Sequence, residues 1–436
     1  MDISREKSPT AQETFLQMAQ AAGLRGRLLV TVGLLILVRL GVYLPVPGIN
    51  RQAFADQMQN NPVIGFLDLF SGGGLSALGI FALGIIPFIN ASIIMQLMTA
   101  ALPSLENLQK NEGEAGRRKI SQITRYVAVG WALIQSFGLA LYVNNLPSVA
   151  TNSGPVFIIE TVLAVTAGSM FVMWVSELIT ERGIGNGASL LIFVNIVAVL
   201  PQSLGNTVQL FEVGDRAVVG RAIILLLVWI ATIVGIVFVQ EGTRKIPIIS
   251  ARRQVGRKLY REKASYLPLR LNQGGVMPII FASAVLFLPA TIAGFAGNQV
   301  LRQIANAVSP GGNPWFHVPF YFILILFFSY FYASLIMNPV DMSQNLKKMG
   351  ASIPGIRPGK TTSEYLEKVL NRLTFLGAMF LGIVAIIPTA AENALRLPNL
   401  GFGATSLLIL VGVAIDTAKQ IQTYVISQRY EGMVKQ

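Results

Sequence analysis

Cysteine is absent from this chain, and histidine occurs once, as His317. Without cysteine there is no disulfide framework and no thiol chemistry. The sequence also has no HExxH, no GxSxG and no glycine-rich P-loop. These absences exclude the usual constellations for metal-dependent or serine-type hydrolysis and for nucleotide hydrolysis. His317 stands beside Trp315 and Phe316, which is typical of a membrane interface. We therefore expect neither enzyme activity nor a cofactor.

Charge is also scarce. Only 13% of the 436 residues are charged and 53% are hydrophobic, whereas soluble proteins carry roughly 25% charged residues. This composition predicts a polytopic membrane protein. The N-terminal segment mixes acidic with basic residues and has no small-residue cleavage site after the first apolar run, so we expect no signal peptide. Residues 1–26 are predicted to form a cytoplasmic segment with an amphipathic helix at the membrane surface.

Several apolar stretches are long enough to cross a bilayer, which takes about 20 residues. The ten predicted spans are residues 27–45, 77–101, 125–146, 155–177, 186–205, 217–240, 274–296, 315–337, 372–391 and 402–420. Lys and Arg concentrate in alternate loops, which places both termini in the cytoplasm by the positive-inside rule. Five spans in each half invert the second half relative to the first, as in inverted repeats around a central site. The predicted fold is therefore an all-α membrane protein with two inverted five-helix halves, 27–215 and 216–425, and a tail at 426–436.

The stretch between the first two spans has an unusual order. A short apolar run, 63–70, is followed by Ser71 and then by Gly72, Gly73 and Gly74. The run is too short to span a bilayer, and three consecutive glycines disfavour a helix. A half-helix, a glycine hinge and a full helix predict a re-entrant segment at 62–74. Non-helical backbone at membrane depth needs surrounding protein or a water-filled cavity. An outer loop on the surface is the alternative.

The centres of the predicted spans carry isoleucine and leucine and no titratable residue. An ion-coupled transporter would need a charged or polar group there, so a secondary transporter is a weaker alternative. Converging aliphatic side chains would form a hydrophobic constriction that excludes water and ions. Ordinary lipid-facing or core packing is the other interpretation. Polar residues interrupt the apolar faces at Asn90, Gln96, Gln135 and Asn272, and they suggest either a seam that opens or static contacts between helices.

Two predicted cytoplasmic loops are large and basic, at 240–272 and 338–372. The first holds nine Lys or Arg residues and alternates like a strand from Lys245 to Ala251. The second contains the rigid, basic turn IPGIRPGK at 353–360. We interpret both loops as a docking surface for a large anionic partner such as RNA. Alternatively, they only fix topology and touch anionic lipid, at about 1 kcal/mol per residue near the surface.

Long strings in this chain closely resemble the SecY family of protein-conducting channels, and the bacterial form above all. The resemblance runs in register from the first span to the last. It is carried by LPVPGIN (44–50), FSGGGLSALGIFALGIIPFINASIIMQL (70–97), EGEAGRRKISQITRY (112–126), ITERGIGNGASLLIF (179–193), MPIIFAS (277–283), NPVDMSQNLKKMGASIPGIRPGKTT (338–362) and GATSLLI (403–409).

The resemblance implies a role for each set of candidate residues. A plug at 62–74 would include Val63, Ile64, Phe66, Leu67, Asp68 and Phe70. A pore ring would consist of Ile85, Ile89, Ile192, Ile280 and Ile409, with Ala188 where family members often carry isoleucine. A lateral gate between spans two-three and seven-eight would contain Asn90, Gln135 and Asn272, and Gln96 is a further candidate. The docking residues would be Arg252, Arg253, Arg257, Lys258, Arg357 and Lys360.

The same resemblance implies the function. We expect the central pore-forming subunit of a protein translocation channel, which passes unfolded secretory polypeptides and releases transmembrane segments laterally into lipid. Its implied partners are SecE and SecG, signal sequences and nascent chains, and a docked ribosome or the SecA motor ATPase. Since the chain has no nucleotide site of its own, the energy would come from these docked partners. The expected location is the bacterial plasma membrane, with the thylakoid membrane as the alternative.

Overall fold

The computed structural model describes residues 22–58, 68, 70–146, 149, 154–212, 216–250, 254–255, 258–259, 264–296, 300, 303, 307, 314–395 and 404–434. Most of these residues are helical. The helices are α1 (Ala22–Gly41), α2 (Arg51–Met58), α3 (Ile86–Ala101), α4 (Pro103–Asn111), α5 (Gly113–Asn144), α6 (Pro155–Arg182), α7 (Gly187–Glu212), α8 (Arg216–Glu241), α9 (Met277–Ala296), α10 (Pro314–Ile336), α11 (Pro339–Lys348), α12 (Lys360–Leu395) and α13 (Ala404–Val434). The strands are β1 (Thr243–Ser250), β2 (Gln254–Val255), β3 (Lys258–Leu259), β4 (Ala264–Arg270) and β5 (Ala351–Ser352).

Each of the ten predicted spans overlaps one helix, namely α1, α3, α5, α6, α7, α8, α9, α10, α12 and α13. Within the described residues, five helices are long and apolar enough to cross a membrane by themselves. A sixth candidate is the pair α3 and α4, which bend by 104° at Leu102. Pro103 follows that bend and occupies the first turn of α4, where its missing N–H costs nothing.

The second predicted span begins later than expected. Residues 72–85 form turns, and the helix starts only at Ile86. Leu78 and Gly84 have positive φ, +42° and +52°, and Gly79 forms an isolated bridge with Pro45. An added Cβ at Gly79 would collide with the carbonyl of Val42. The helix predicted for 77–85 is therefore wrong, because apolar composition alone does not separate a buried turn from a buried helix.

The chain folds into two compact units. The first comprises residues 1–95, 117–201 and 413–436. Within it α1 packs against α6, and a buried cluster joins Phe54, Leu78, Val143 and Phe157. A second cluster brings together small and flexible side chains of three helices, Ala91 of α3, Ala128 of α5 and Met173 of α6.

The second unit comprises residues 96–116 and 202–412. Helix α12 packs against α8 and α10, and α10 packs against α9. The division at residue 215 into two inverted halves stays a prediction.

Both large loops of the sequence contribute to one small sheet in this second unit. The strand predicted at 245–251 is confirmed as β1, which pairs antiparallel with β4 from Thr243–Arg270 to Ile249–Ala264. Its other edge pairs with β5 from the second loop, so the order is β4-β1-β5. We call residues 243–250, 264–270 and 338–373 the sheet module. Its buried core is aliphatic and consists of Ile246, Ile248, Leu269, Leu346, Ala351, Ile353, Leu366, Val369, Leu370 and Leu373.

Candidate functional site

The predicted plug is described only at its C-terminal end. Asp68 and Phe70 belong to the described residues, whereas Val63, Ile64, Phe66 and Leu67 lie outside them. We call residues 68 and 70–76 the plug root. Its helical turn ends at Ser71, and Gly72 and Gly73 follow with φ of +67° and +88°. Glycine adopts such angles at little steric cost, so the two residues end the helical turn here.

A single carboxylate oxygen organises the plug root. Asp68 Oδ1 accepts hydrogen bonds from Ser71 Oγ at 3.0 Å and from the backbone N–H groups of Leu75 and Ser76, both at 2.9 Å. The carbonyl of Asp68 also accepts from the N–H of Gly73 at 3.1 Å. Asp68 therefore acts as an internal cap that closes the turn across the three glycines.

Two side chains from other helices hold the same segment. Asn195 of α7 is 6% exposed, and its Nδ2 donates to the carbonyl of Phe70 at 2.7 Å. The guanidinium of Arg39 on α1 donates to the carbonyl of Gly72. Neither residue was a candidate from the sequence. The available signal was weak: a cation toward the outer end of a predicted span and an amide inside an apolar run.

The predicted pore-ring isoleucines are all buried. Ile85, Ile89, Ile192, Ile280 and Ile409 are at most 6% exposed, and Ala188 is partly buried. By contrast, Ile223 and Ile224 on α8 are more than half exposed, as expected for side chains that face lipid. The first unit carries the ring residues up to Ile192, and the second unit carries the last two. The assignment of these residues to a pore ring stays a prediction.

Three of the candidate gate residues are buried, namely Asn90, Gln135 and Asn272, and Gln96 is partly buried. Asn90 and Gln135 are each 6% exposed, and within the described part of the chain Gln135 Oε1 has no hydrogen-bond partner. Asn272 Nδ2 donates to the carbonyl of Gly275 at 2.6 Å. Gln96 Oε1 accepts a hydrogen bond of 2.6 Å from the hydroxyl of Tyr332 on α10.

Sequence reasoning missed Tyr332. Its ring also contacts Phe281 of α9, edge to face at 5.1 Å between centroids. Because Tyr332 and Gln96 are separated by 236 positions, no local pattern connects them. An unassigned tyrosine hydroxyl in an apolar run was the only available signal, since a buried O–H usually finds a partner.

The basic turn of the sheet module is held at several backbone points. Gly355 and Gly359 have φ of +78° and +112°. The carbonyl of Arg357 accepts from Thr362 Oγ1 at 2.8 Å, and that of Gly359 accepts from Ser343 Oγ at 2.7 Å. The turn thus fixes the backbone of Arg357.

The candidate docking side chains are only partly described. Arg357 and Lys360 are exposed. Lys258 lies in β3, which pairs with β2, while Arg252, Arg253 and Arg257 lie outside the described residues. Among the residues that the structure does describe, no group of three or more His, Cys, Asp or Glu side chains could hold a metal ion.

Comparison with known proteins places these features in a family. The SecY family model matches residues 79–418. Protein translocase subunit SecY of Synechococcus elongatus is 69% identical over 441 residues, which cover 100% of both chains. The identity extends over the whole chain, whereas the matched span begins just after the plug root and includes the sheet module.

Solved structures share the fold. One is a SecY translocation channel whose plug domain stabilises the closed state and maintains a membrane seal (TM-score 0.64, 17% identity, 92% of each chain). Another is Sec61 in a canine ribosome–channel complex from the endoplasmic reticulum (TM-score 0.61, 15% identity, 92% of each chain). The predicted channel fold is confirmed by these matches.

Proposed function

The chain belongs to the SecY family, and on this premise we propose that it is the central pore-forming subunit of a protein translocation channel. It passes unfolded secretory polypeptides across the membrane and releases transmembrane segments laterally into lipid. The observation that carries this proposal is the 69% identity over the whole chain with a protein translocase subunit. The protein is a multi-pass membrane protein and acts as a channel subunit.

The pore is built from aliphatic side chains in this proposal. Ile85, Ile89, Ala188, Ile192, Ile280 and Ile409 form its constriction, and the burial of the five isoleucines supports this role. Aliphatic surfaces grip any polypeptide weakly and none strongly, because the hydrophobic effect is non-directional. A narrow apolar ring also excludes water and ions while the channel is idle.

The lateral gate lies, we infer, along α3 and α10. Supporting this is the hydrogen bond between Tyr332 and Gln96, together with the buried amides of Asn90, Gln135 and Asn272. Hydrogen bonds between helices in membranes contribute about 0.6–2 kcal/mol each. A seam joined by few such bonds is stable at rest and opens when a signal sequence offers apolar contacts in exchange.

The driving force comes from outside the chain, which has no nucleotide-binding motif. We propose that the ribosome or the SecA motor docks on the sheet module through Arg357 and Lys360. The basic residues Arg252, Arg253, Arg257 and Lys258, which lie between β1 and β4 in the sequence, contribute to the same docking. A channel with the same fold, Sec61, is found in a ribosome complex. SecE and SecG are the proposed companion subunits, and anionic lipids are proposed contacts of the basic loops. The proposed location is the bacterial plasma membrane with both termini in the cytoplasm, and the thylakoid membrane is the second candidate.

The proposed function is tested by reconstitution of the full chain with SecE and SecG in liposomes. With SecA and ATP outside, we expect an unfolded secretory preprotein to become protected from added protease. A control without ATP should show no protection. Absence of protection under all conditions, or solute uptake driven by an ion gradient, would contradict the proposal and favour a transporter.

The pore ring is tested in the same liposomes. Replacing Ile85 and Ile280 by glycine should make the resting channel conduct ions, because the apolar constriction widens and fills with water. The matched control replaces Ile223 and Ile224, which are exposed on α8, and should stay tight. A tight membrane with the Ile85→Gly/Ile280→Gly variant would place the constriction elsewhere.

A further inference from the structure

We propose that Arg39 of α1 and Asn195 of α7 form a latch that holds the plug root in its closed position and so sets how easily the channel opens. The latch consists of the two hydrogen bonds from these side chains to the carbonyls of Gly72 and Phe70. The inference rests on the proposed function, since a plug matters only in a channel. Arg39 and Asn195 are positioning residues, because they act through the plug root and not on the passing chain.

The two acceptors lie at the end of a helical turn and just after it. The helical turn of the plug root ends at Ser71, and the last carbonyls of a helix have no partner within it. Phe70 is 7% exposed and Gly72 is also buried, so water does not readily replace the two donors. A buried carbonyl without a hydrogen bond is costly. Arg39 and Asn195 supply these bonds from two separate helices.

Gly72 brings the two donors together. An added Cβ on Gly72 would lie 2.7 Å from Arg39 Nη1 and 2.7 Å from Asn195 Oδ1. Such distances are shorter than van der Waals contact, so one or both side chains would have to move. The absence of a side chain at this position therefore lets both donors reach the backbone.

The helices that carry the latch are also connected away from the plug root. Thr31 of α1 accepts a hydrogen bond at 3.0 Å from the N–H of Ile184, which lies just before α7. Asn186 Oδ1 in turn accepts from the N–H groups of Ala188 and Ser189 in the first turn of α7. Helix α1 is thus also joined to the segment just before α7 by a contact that does not involve the plug root.

A latch of two hydrogen bonds is strong enough to favour the closed state and weak enough to be broken when the channel opens. The bonds exist only while the plug root is in place, and only such differential contacts shift an equilibrium between two states. Released carbonyls would be hydrated in an open pore, so the net contribution of each bond is modest. Loss of one bond should raise the open fraction at rest by about tenfold. The channel would then stay closed at rest and still open under a signal sequence.

The rival interpretation treats Gly72, Gly73 and Gly74 as a free hinge. The two interpretations separate at adjacent positions. Gly72 and Gly73 both have positive φ, so alanine is strained at either one. Only at Gly72 would the new Cβ strike the latch, because an added Cβ on Gly73 meets nothing within 4 Å. A hinge predicts similar effects of the two substitutions, whereas the latch predicts a large effect at Gly72 alone.

The first experiment uses the full chain with SecE and SecG in liposomes. We compare Asn195→Leu and Gly72→Ala with Gly73→Ala and the wild type. For the first two variants we expect about a tenfold rise in resting ion conductance, and SecA-driven translocation of a preprotein whose signal sequence is defective. Arg39→Gln, which keeps an N–H donor without the charge, should give an intermediate conductance. A variant that merely folds poorly would instead lose translocation of the intact preprotein.

The possible outcomes distinguish failure of the latch from failure of the proposed function. Wild-type conductance in Asn195→Leu, or equal conductance in Gly72→Ala and Gly73→Ala, would overturn the latch while the proposed function stands. If the wild type translocates no preprotein, the proposed function fails and the latch fails with it.

A second experiment uses the absence of native cysteine. An added Cβ on Gly72 lies 2.9 Å from Asn195 Cγ, so the pair Gly72→Cys and Asn195→Cys comes within reach of a disulfide. The oxidised variant should be tight and inactive, and the reduced variant should leak and translocate. Failure to form the disulfide would show that Gly72 does not lie against Asn195 in the resting channel. Normal translocation by the oxidised protein would show that opening does not require release of the root from α7. Either result would overturn the latch.

Discussion

The plug root and the sheet module are held together by opposite means. In the plug root, backbone N–H groups donate to the carboxylate of Asp68, and Arg39 and Asn195 donate to backbone carbonyls. Aliphatic side chains from three strands and two helices fix the sheet module. A hydrogen bond exchanges for water at a small net cost, whereas opening an apolar core costs about 25 cal/mol for each Å² exposed. The plug root is thus suited to release, and the sheet module to staying folded under load.

Glycine serves the two regions differently. At Gly72 an added Cβ would meet two side chains within 3 Å. Glycine is therefore needed there for the space it leaves as well as for its backbone conformation. At Gly355 and Gly359 an added Cβ would meet nothing within 4 Å, yet φ is +78° and +112°. The glycines of the sheet module are therefore required by the backbone angle of a turn. We expect substitutions there to strain the turn without disturbing a neighbour.

The largest effect should come from the core of the sheet module. Leu366 is fully buried there. Leu366→Ala should destabilise the module by about 2–5 kcal/mol through lost apolar burial and a residual cavity. Limited proteolysis of 243–270 and SecA binding measure the loss. Tyr266→Ala on β4 is the control, since Tyr266 is 59% exposed. Equal protease resistance of the two variants would show that the module does not depend on this core.

The next effect concerns docking and not folding. Arg357→Glu reverses an exposed charge on a turn whose backbone is fixed by Thr362 and Ser343. We expect SecA-driven translocation to be lost while membrane insertion and SecE binding are unchanged. The control Lys368→Glu changes the charge equally at another exposed position, on α12, and should retain most activity. Unchanged translocation with Arg357→Glu would remove this residue from the docking surface.

The smallest effect should come from the internal cap of the plug root. Asp68→Ala removes the acceptor for Ser71, Leu75 and Ser76 but leaves Arg39 and Asn195 in place. We expect the turn itself to lose about 1–3 kcal/mol of stability. Because the two latch bonds remain, resting ion conductance should rise less than in Asn195→Leu. Asp68→Asn keeps an oxygen acceptor and should lie nearer the wild type. A larger leak from Asp68→Ala than from Asn195→Leu would mean that the cap, and not the latch, keeps the channel closed.

Much of this architecture follows from local pattern. Hydropathy and the alternation of basic loops predicted ten spans, and each overlaps a helix. The strand in the first large loop was visible from its alternation and is confirmed as β1. The start of α3 was not predictable, because residues 77–85 are as apolar as a helix would be. Their turns depend on the close approach of Gly79 to the backbone near Val42.

The sequence by itself determined the membrane fold, since apolar length and charge placement act on each segment independently of the others. The long strings of residues that resemble the SecY family also predicted the family. Only the tertiary structure decided which distant groups meet. Tyr332 with Gln96, β1 with β5, and Arg39 and Asn195 with the plug root are contacts between segments far apart in the chain. Hydrogen bonds are short and directional, so these pairs form only after the helices have packed. The periodicity of the sequence therefore does not predict them.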